Sequence, residues 1–167
     1  MPHKEQGQLL NELEKLRTLV QIGDPFECPG FPEIDYVVTN LGFIEDTEEP
    51  CIIYKKREGG QTSWVRTLSE YVNKDVLKTN KDKNQLLEDL NNLRLRIEEG
   101  DKCCHYKHPD QFYQIVGVGF IEGNGQLCVI YQAEYGDKIT WVRTESEFFA
   151  KVTSENGSEV DRFTKVV

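Results

Sequence analysis

Long hydrophobic runs are missing from this chain of 167 residues. No stretch approaches the roughly 20 apolar residues that a membrane-spanning helix needs, so no membrane association is expected. Basic residues are also scarce: 20 Lys and Arg stand against 29 Asp and Glu, for a formal net charge of −9. Affinity for nucleic acid comes largely from neutralising phosphates, so duplex DNA or RNA is not an expected partner. The longest basic cluster is only Lys55-Lys56-Arg57. The first residues, MPHKEQGQLL, lack the basic-then-apolar pattern of a secretory signal. Five cysteines (Cys28, Cys51, Cys103, Cys104 and Cys128) are odd in number and irregularly spaced. That argues against a disulfide framework and for a reducing cytoplasm. Catalytic signatures are missing as well: there is no GxSxG, no P-loop, no HExxH and no GxGxxG, and no cofactor is implied. What remains is a globular balance, 38% hydrophobic and 29% charged.

What is present is a repeat. SWVRTLSEY, Ser63 to Tyr71, returns as TWVRTESEF, Thr140 to Phe148, at an offset of 77 residues (141 − 64). Without a gap, the same offset superposes Gly23-Asp24 on Gly100-Asp101 and Tyr36 on Tyr113. It lays Gly42-Phe43-Ile44-Glu45 over Gly119-Phe120-Ile121-Glu122, and Cys51 and Tyr54 over Cys128 and Tyr131. Between residues 8–72 and 85–149, 24 of 65 positions are identical. This reads as a tandem duplication, with one unit over residues 1–77 and a second over residues 78–167.

Each unit opens with an amphipathic pattern. Leu9, Leu10, Leu13, Leu16 and Val20 recur at three- and four-residue spacing, as do Leu86, Leu87, Leu90, Leu93 and Ile97. Helices are predicted over Gln8–Ile22 and Gln85–Glu99, closed by Gly23 and Gly100, with Asp82 or Asn84 as the second N-cap. The polar run Asn73–Asn84 is the linker. Short strands follow: Tyr36–Phe43 and Tyr113–Ile121, then CIIYKK and CVIYQA, then TSWVRT and ITWVRT. Asn124-Gly125 marks a hairpin turn. The predicted class is α+β: two tandem repeats, each an amphipathic helix followed by a small antiparallel sheet or a partly closed, SH3-like barrel.

Residues two apart in a strand share a face, so Trp64 projects with Arg66 and Trp141 with Arg143. An indole beside a guanidinium suits a planar or anionic ligand. The structural alternative is a core tryptophan with the arginine lying along it, paired to Glu70 or Glu147 just downstream. Tyr54 and Tyr131 are the repeated aromatic neighbours. Glu45 and Glu122 flank the hairpin turn, a poor place for a buried acid. Cys51 and Cys128 read as small buried hydrophobes. CCHYKHPD, Cys103 to Asp110, clusters soft donors, but vicinal cysteines followed directly by His105 match no standard zinc spacing, and no metal is expected.

The second unit resembles a known family. YKH (Tyr106–His108), YQIVGVG (Tyr113–Gly119), VIYQAEYGDKITWVR (Val129–Arg143), EFF and VDRF follow, in order and spacing, the pattern of a short bacterial domain, domain of unknown function 1653. The chain departs from that pattern at Thr144, where the family has Pro, and around Pro109–Phe112. The first unit keeps Tyr54 and Trp64-Val65-Arg66 but lacks Tyr-Lys-His and Tyr-Gly-Asp. The resemblance implies a site in the second unit built from Tyr106, His108, Tyr131, Tyr135, Asp137, Trp141 and Arg143, with Tyr54, Trp64 and Arg66 as the first unit's remnant. It also implies a binding or accessory role, since such domains sometimes sit near nucleotide-cleaving hydrolases.

Three functional readings follow. The first is a non-catalytic binding module presenting Trp, Arg and Tyr to a small molecule, of which a nucleotide-like one would suit stacking plus Arg, or to a peptide. The second is a scaffold that meets a protein partner through its amphipathic helices. The third is a small hydrolase using His108 and Asp137, which requires those side chains in hydrogen-bond reach. The first is the expectation carried forward.

Overall fold

The computed structural model describes residues 4–74 and 83–166. The fold is α+β, and the chain divides into two compact units: Met1–Asn80 with Phe120–Gly125, and Lys81–Gly119 with Gln126–Val167. The short excursion of Phe120–Gly125 into the first unit had no signal in the sequence.

The first unit begins with α1 (Gln6–Leu19), which buries Leu9, Leu13 and Leu16. The helix stops short of the predicted Ile22. Val20 is already extended, and Asp24 Oδ2 accepts the Gln21 N–H at 2.8 Å, closing a tight turn. Gly23 follows at φ 95°, a conformation open to glycine at little cost. Then come β1 (Pro25–Phe26), β2 (Tyr36–Ile44), β3 (Pro50–Lys56) and β4 (Ser63–Thr67). They form an antiparallel meander in which β1 pairs with β2, β2 with β3 and β3 with β4. Tyr54 stands opposite Trp64, and Ile52 opposite Arg66. Thr67 Oγ1 accepts the Glu70 N–H at 3.3 Å and caps α2 (Leu68–Asn73). Phe120–Gly125 lies along β4: the Glu122 N–H donates to the Val65 carbonyl at 2.9 Å, and the Phe120 ring lies 5.3 Å from Trp64.

The second unit begins with α3 (Lys83–Arg96). Leu90, Leu93 and Ile97 are buried, whereas Leu87 is exposed. Of the two proposed N-caps, Asn84 falls inside the helix and Asp82 lies outside the described residues. Next come β5 (Lys102–His105), β6 (His108–Ile121), β7 (Gln126–Ala133), β8 (Thr140–Thr144) and α4 (Glu145–Phe148). The β6–β7 turn has Gly125 at φ 70°. The chain continues as β9 (Lys151–Thr153), β10 (Glu159–Asp161) and β11 (Phe163–Val166). β9 and β10 form a separate two-stranded ladder. β11 pairs with β5, β5 with β6, β6 with β7 and β7 with β8. Tyr131 stands opposite Trp141, and Val129 opposite Arg143. Among the described residues, no helix is long and apolar enough to cross a membrane.

Candidate functional site

Strand β4 presents alternate residues to Phe120–Gly125. Trp64 meets Phe120, and Arg66, with no exposed surface at all, meets Glu122. Arg66 Nη2 donates to Glu122 Oε1 at 2.9 Å and Nε donates to Oε2 at 3.2 Å, a two-pronged fit of fork to carboxylate. The Tyr54 hydroxyl donates to Glu122 Oε2. The Cys28 thiol donates to Oε1 at 3.4 Å and lies 3.8 Å from the Tyr54 hydroxyl. One carboxylate thus gathers an arginine, a tyrosine and a cysteine inside the first unit. The sequence reading paired Arg66 with Glu70 and left Glu122 solvated beside its turn. The structure corrects the reading of Glu122, which is buried and takes Arg66; the Glu70 backbone carbonyl also accepts from Arg66 Nη1, at 3.4 Å.

The electrostatics make this cluster a pin rather than a reactive centre. Burial, reinforced by the Glu122 charge, pushes the Tyr54 phenol far above its ordinary range. Burial and Glu122 likewise raise the Cys28 thiol, so it remains protonated and a poor nucleophile. Burial pulls against the Arg66 charge, but the hydrogen bonds and charge of Glu122 outweigh it and raise the guanidinium. Glu70 is raised by burial, against the Thr67 hydrogen bond and the Arg66 charge. Its Oε2 is buried and finds no hydrogen-bond partner among the described residues.

Above this pin the first unit opens into a cavity of about 680 Å³. Leu19, Phe26, Tyr71 and Val72 give it apolar lining, and Asp24, Glu27, Arg66 and Lys74 give it charged lining. Leu19 is 56% exposed and Val72 60% exposed, so two large apolar side chains of the lining reach solvent.

In the second unit, Tyr131 is buried within an aromatic cluster. Its ring lies 5.3 Å from Tyr113, 5.6 Å from Phe148 and 5.2 Å from Phe163. The Arg143 guanidinium sits 5.6 Å from the Phe163 ring. The Tyr113 and Tyr135 hydroxyls lie 2.6 Å apart. Trp141 and Tyr106 are half-buried, the latter beside His105 at 4.7 Å. Glu147 takes Arg162 at 2.7 Å. Tyr131, Trp141 and Arg143 are therefore gathered by adjacent strands, with Tyr135 linked through Tyr113. His108, which opens β6, and Asp137, in the turn after β7, are both exposed. Cys103 and Cys128 are each pushed up to about 12 by burial.

Sequence reasoning missed Glu122, Cys28 and Phe163. A usable signal existed for the first: Tyr54, Arg66 and Glu122 each sit at a position identical in both halves. Phe163 lies beyond the repeated span and carried only the family motif.

The family model described as "Protein of unknown function (DUF1653)" matches residues 102–165. Comparison with curated proteins finds no match, and comparison with solved structures finds none either. The matched stretch runs from β5 into β11 and is what this part of the chain is similar to.

Proposed function

We propose that this chain is a non-catalytic binding module made of two copies of one helix-and-sheet unit, joined near residue 77, with the cavity of the first unit as a ligand site. The observation that carries the reading is the cavity itself. Its volume falls within the roughly 300–1,000 Å³ of small-molecule and peptide-anchor sites, and its rim leaves Leu19 and Val72 in solvent. Tyr54 and Arg66 serve it indirectly, as the pinned floor, and Trp64 braces the segment that delivers Glu122.

The duplication is supported by local detail that recurs at the same offset. The Gly23 N–H donates to Val38 O at 2.8 Å, and the Gly100 N–H to Ile115 O at 2.8 Å. The Asp24 and Asp101 carboxylates accept the N–H groups of Gln21 and Glu98 at 2.8 and 3.0 Å. Thr67 and Thr144 each cap a short helix at 3.3 Å. All five cysteines are free thiols, which supports a reducing, cytoplasmic setting.

The test is a thermal-shift and NMR screen of nucleotides, small aromatic acids and short peptides against the full chain. Ligands that shift the Leu19 and Val72 resonances, and lose the effect in Val72→Glu, support the proposal. A screen in which nothing perturbs that rim refutes it.

A further inference from the structure

The two units differ at one edge. In the second unit, β5 has a strand on each side, β6 and β11. β11 lays Phe163 opposite His105, Thr164 opposite Cys104 and Lys165 opposite Cys103. Phe163 then stacks on Phe148 with ring centroids 4.4 Å apart and planes 4° apart. Lys165 Nζ reaches Asp101 Oδ2 at 3.1 Å.

At the offset of 77, the residues that receive β11 have counterparts in the first unit. His105, Cys104 and Cys103 correspond to Cys28, Glu27 and Phe26; Phe148 corresponds to Tyr71, and Asp101 to Asp24. There, β1 pairs with β2 alone among the described residues. Both residues of β1, Pro25 and Phe26, line the cavity together with Tyr71 and Asp24. The Asp24 carboxylate is held in the same posture as that of Asp101, each accepting the N–H three residues upstream.

We propose, building on the cavity reading above, that the first unit binds an extended peptide from a partner protein. The peptide adds to the free edge of β1 as β11 adds to β5, and carries an aromatic–x–basic triplet. Strand addition supplies main-chain hydrogen bonds for affinity, and alternate side chains supply selectivity. The aromatic residue lies opposite Cys28, the middle residue opposite Glu27 and the basic residue opposite Phe26. Phe26 already stacks on Tyr54 at 4.2 Å and on Tyr71 at 6.0 Å, so the incoming ring packs outside this stack, toward Leu19 and Val72, and does not reach Tyr54. The basic residue pairs with Asp24, in keeping with the acidic balance of the chain. β1 itself covers only Pro25 and Phe26, and Pro25 has no N–H to donate, so the peptide extends the strand edge through Glu27 and Cys28. A second copy of this chain is not the occupant, because its own Phe163 and Lys165 are already committed to β5 and Asp101.

The test uses the full chain and a fluorescein-labelled synthetic peptide of sequence Asp-Arg-Phe-Thr-Lys-Val-Val, copied from residues 161–167. Fluorescence anisotropy should show saturable binding. Phe→Ala in the peptide, and Lys→Glu in the peptide, should each weaken it by about tenfold or more. So should Leu19→Glu and Val72→Glu in the protein, both at exposed positions and both checked for an unchanged circular dichroism spectrum. Binding that survives both protein variants would place the peptide elsewhere and overturn the proposal. Absence of peptide binding, while screened fragments still shift Leu19 and Val72, would overturn the peptide class and leave the cavity reading standing. Absence of both effects would overturn both.

Discussion

Replacing Glu122 by Gln should be among the most damaging conservative changes available in the first unit. The substitution keeps shape and removes charge. It leaves Arg66, with no exposed surface, without the carboxylate that takes two of its donors, and it weakens the acceptor for Tyr54. Removing one partner of a buried ion pair costs about 3–5 kcal/mol, because the other charge remains desolvated. In a chain of this length each kcal/mol shifts the melting midpoint by about 2–4 °C, so a fall of about 6–20 °C is expected for the first unit. Urea titration read by circular dichroism measures the loss, and amide exchange at Ile52, Ile53 and Val65 assigns it to the first unit. The double variant Arg66→Met with Glu122→Leu removes both charges and should recover most of the stability. Buried pairs replaced by apolar residues of similar volume are often neutral or better. A loss below about 1 kcal/mol in Glu122→Gln would refute the reasoning, since that is the scale of a solvated surface pair.

Other expectations follow from the same electrostatics and packing. Glu70, raised above its ordinary value of 4.5 by burial, is easier to ionise in the unfolded chain. Folding therefore loses stability as pH climbs from near 4.5 through the raised value; Glu70→Gln should stabilise the protein at neutral pH and have no such effect well below pH 4, as read from urea midpoints across pH. His105 is lowered to about 4 by burial and then by the Arg143, Lys107 and Arg162 charges. The unfolded chain takes up its proton first, so this contribution is present above pH 6.5 and lost as pH falls toward 4; an imidazole NMR titration should show the low midpoint. A thiol reagent should label Cys104 quickly in the native protein and the buried Cys28, Cys51, Cys103 and Cys128 only on unfolding. Phe163→Ala removes the stack on Phe148 and the contact with Tyr131, and should cost the second unit about 3–5 kcal/mol in the same denaturation assay.

The elements were legible because their causes are local. Leucine spacing marked both helices, which end at Leu19 and Arg96, three residues short of the ends predicted from Gly23 and Gly100, and β-branched runs marked β2, β3, β7 and β8. The period-two rule also put Trp64 and Arg66 on one face, where they meet Phe120 and Glu122. The partner of that arginine was not legible from local spacing. Glu70 lies four residues downstream of Arg66 and Glu122 fifty-six, and local spacing always favours the nearer carboxylate. Glu122 also borders a turn rich in Gly and Asn, which by composition reads as solvated surface. Strand β6 overrides that reading by running from His108 to Ile121, long enough to carry its last residues into the other compact unit. Likewise β11 has no copy in the first half, so a comparison of halves could not reveal it.

That asymmetry gives a physical reason for an open edge that does not undo the first unit. Every buried tyrosine in such a sheet needs a ring or an aliphatic surface over it. In the second unit position 103 is a cysteine, too small to cover Tyr131, and the covering ring comes from Phe163 on β11. In the first unit the matching position is Phe26, which covers Tyr54 from within β1. The hydroxyl ends differ in the same sense: Tyr54 is anchored by Glu122, whereas Tyr131 has no hydrogen-bond partner for its hydroxyl among the described residues. The first unit therefore completes its core without a covering strand: Phe26 stacks on Tyr54 and Tyr71, and the cavity that Phe26, Tyr71 and Val72 line lies beside that stack. A cysteine at position 26 would leave that space as a defect in the core; the phenylalanine separates core from cavity, which is the condition a reversible binding site must meet.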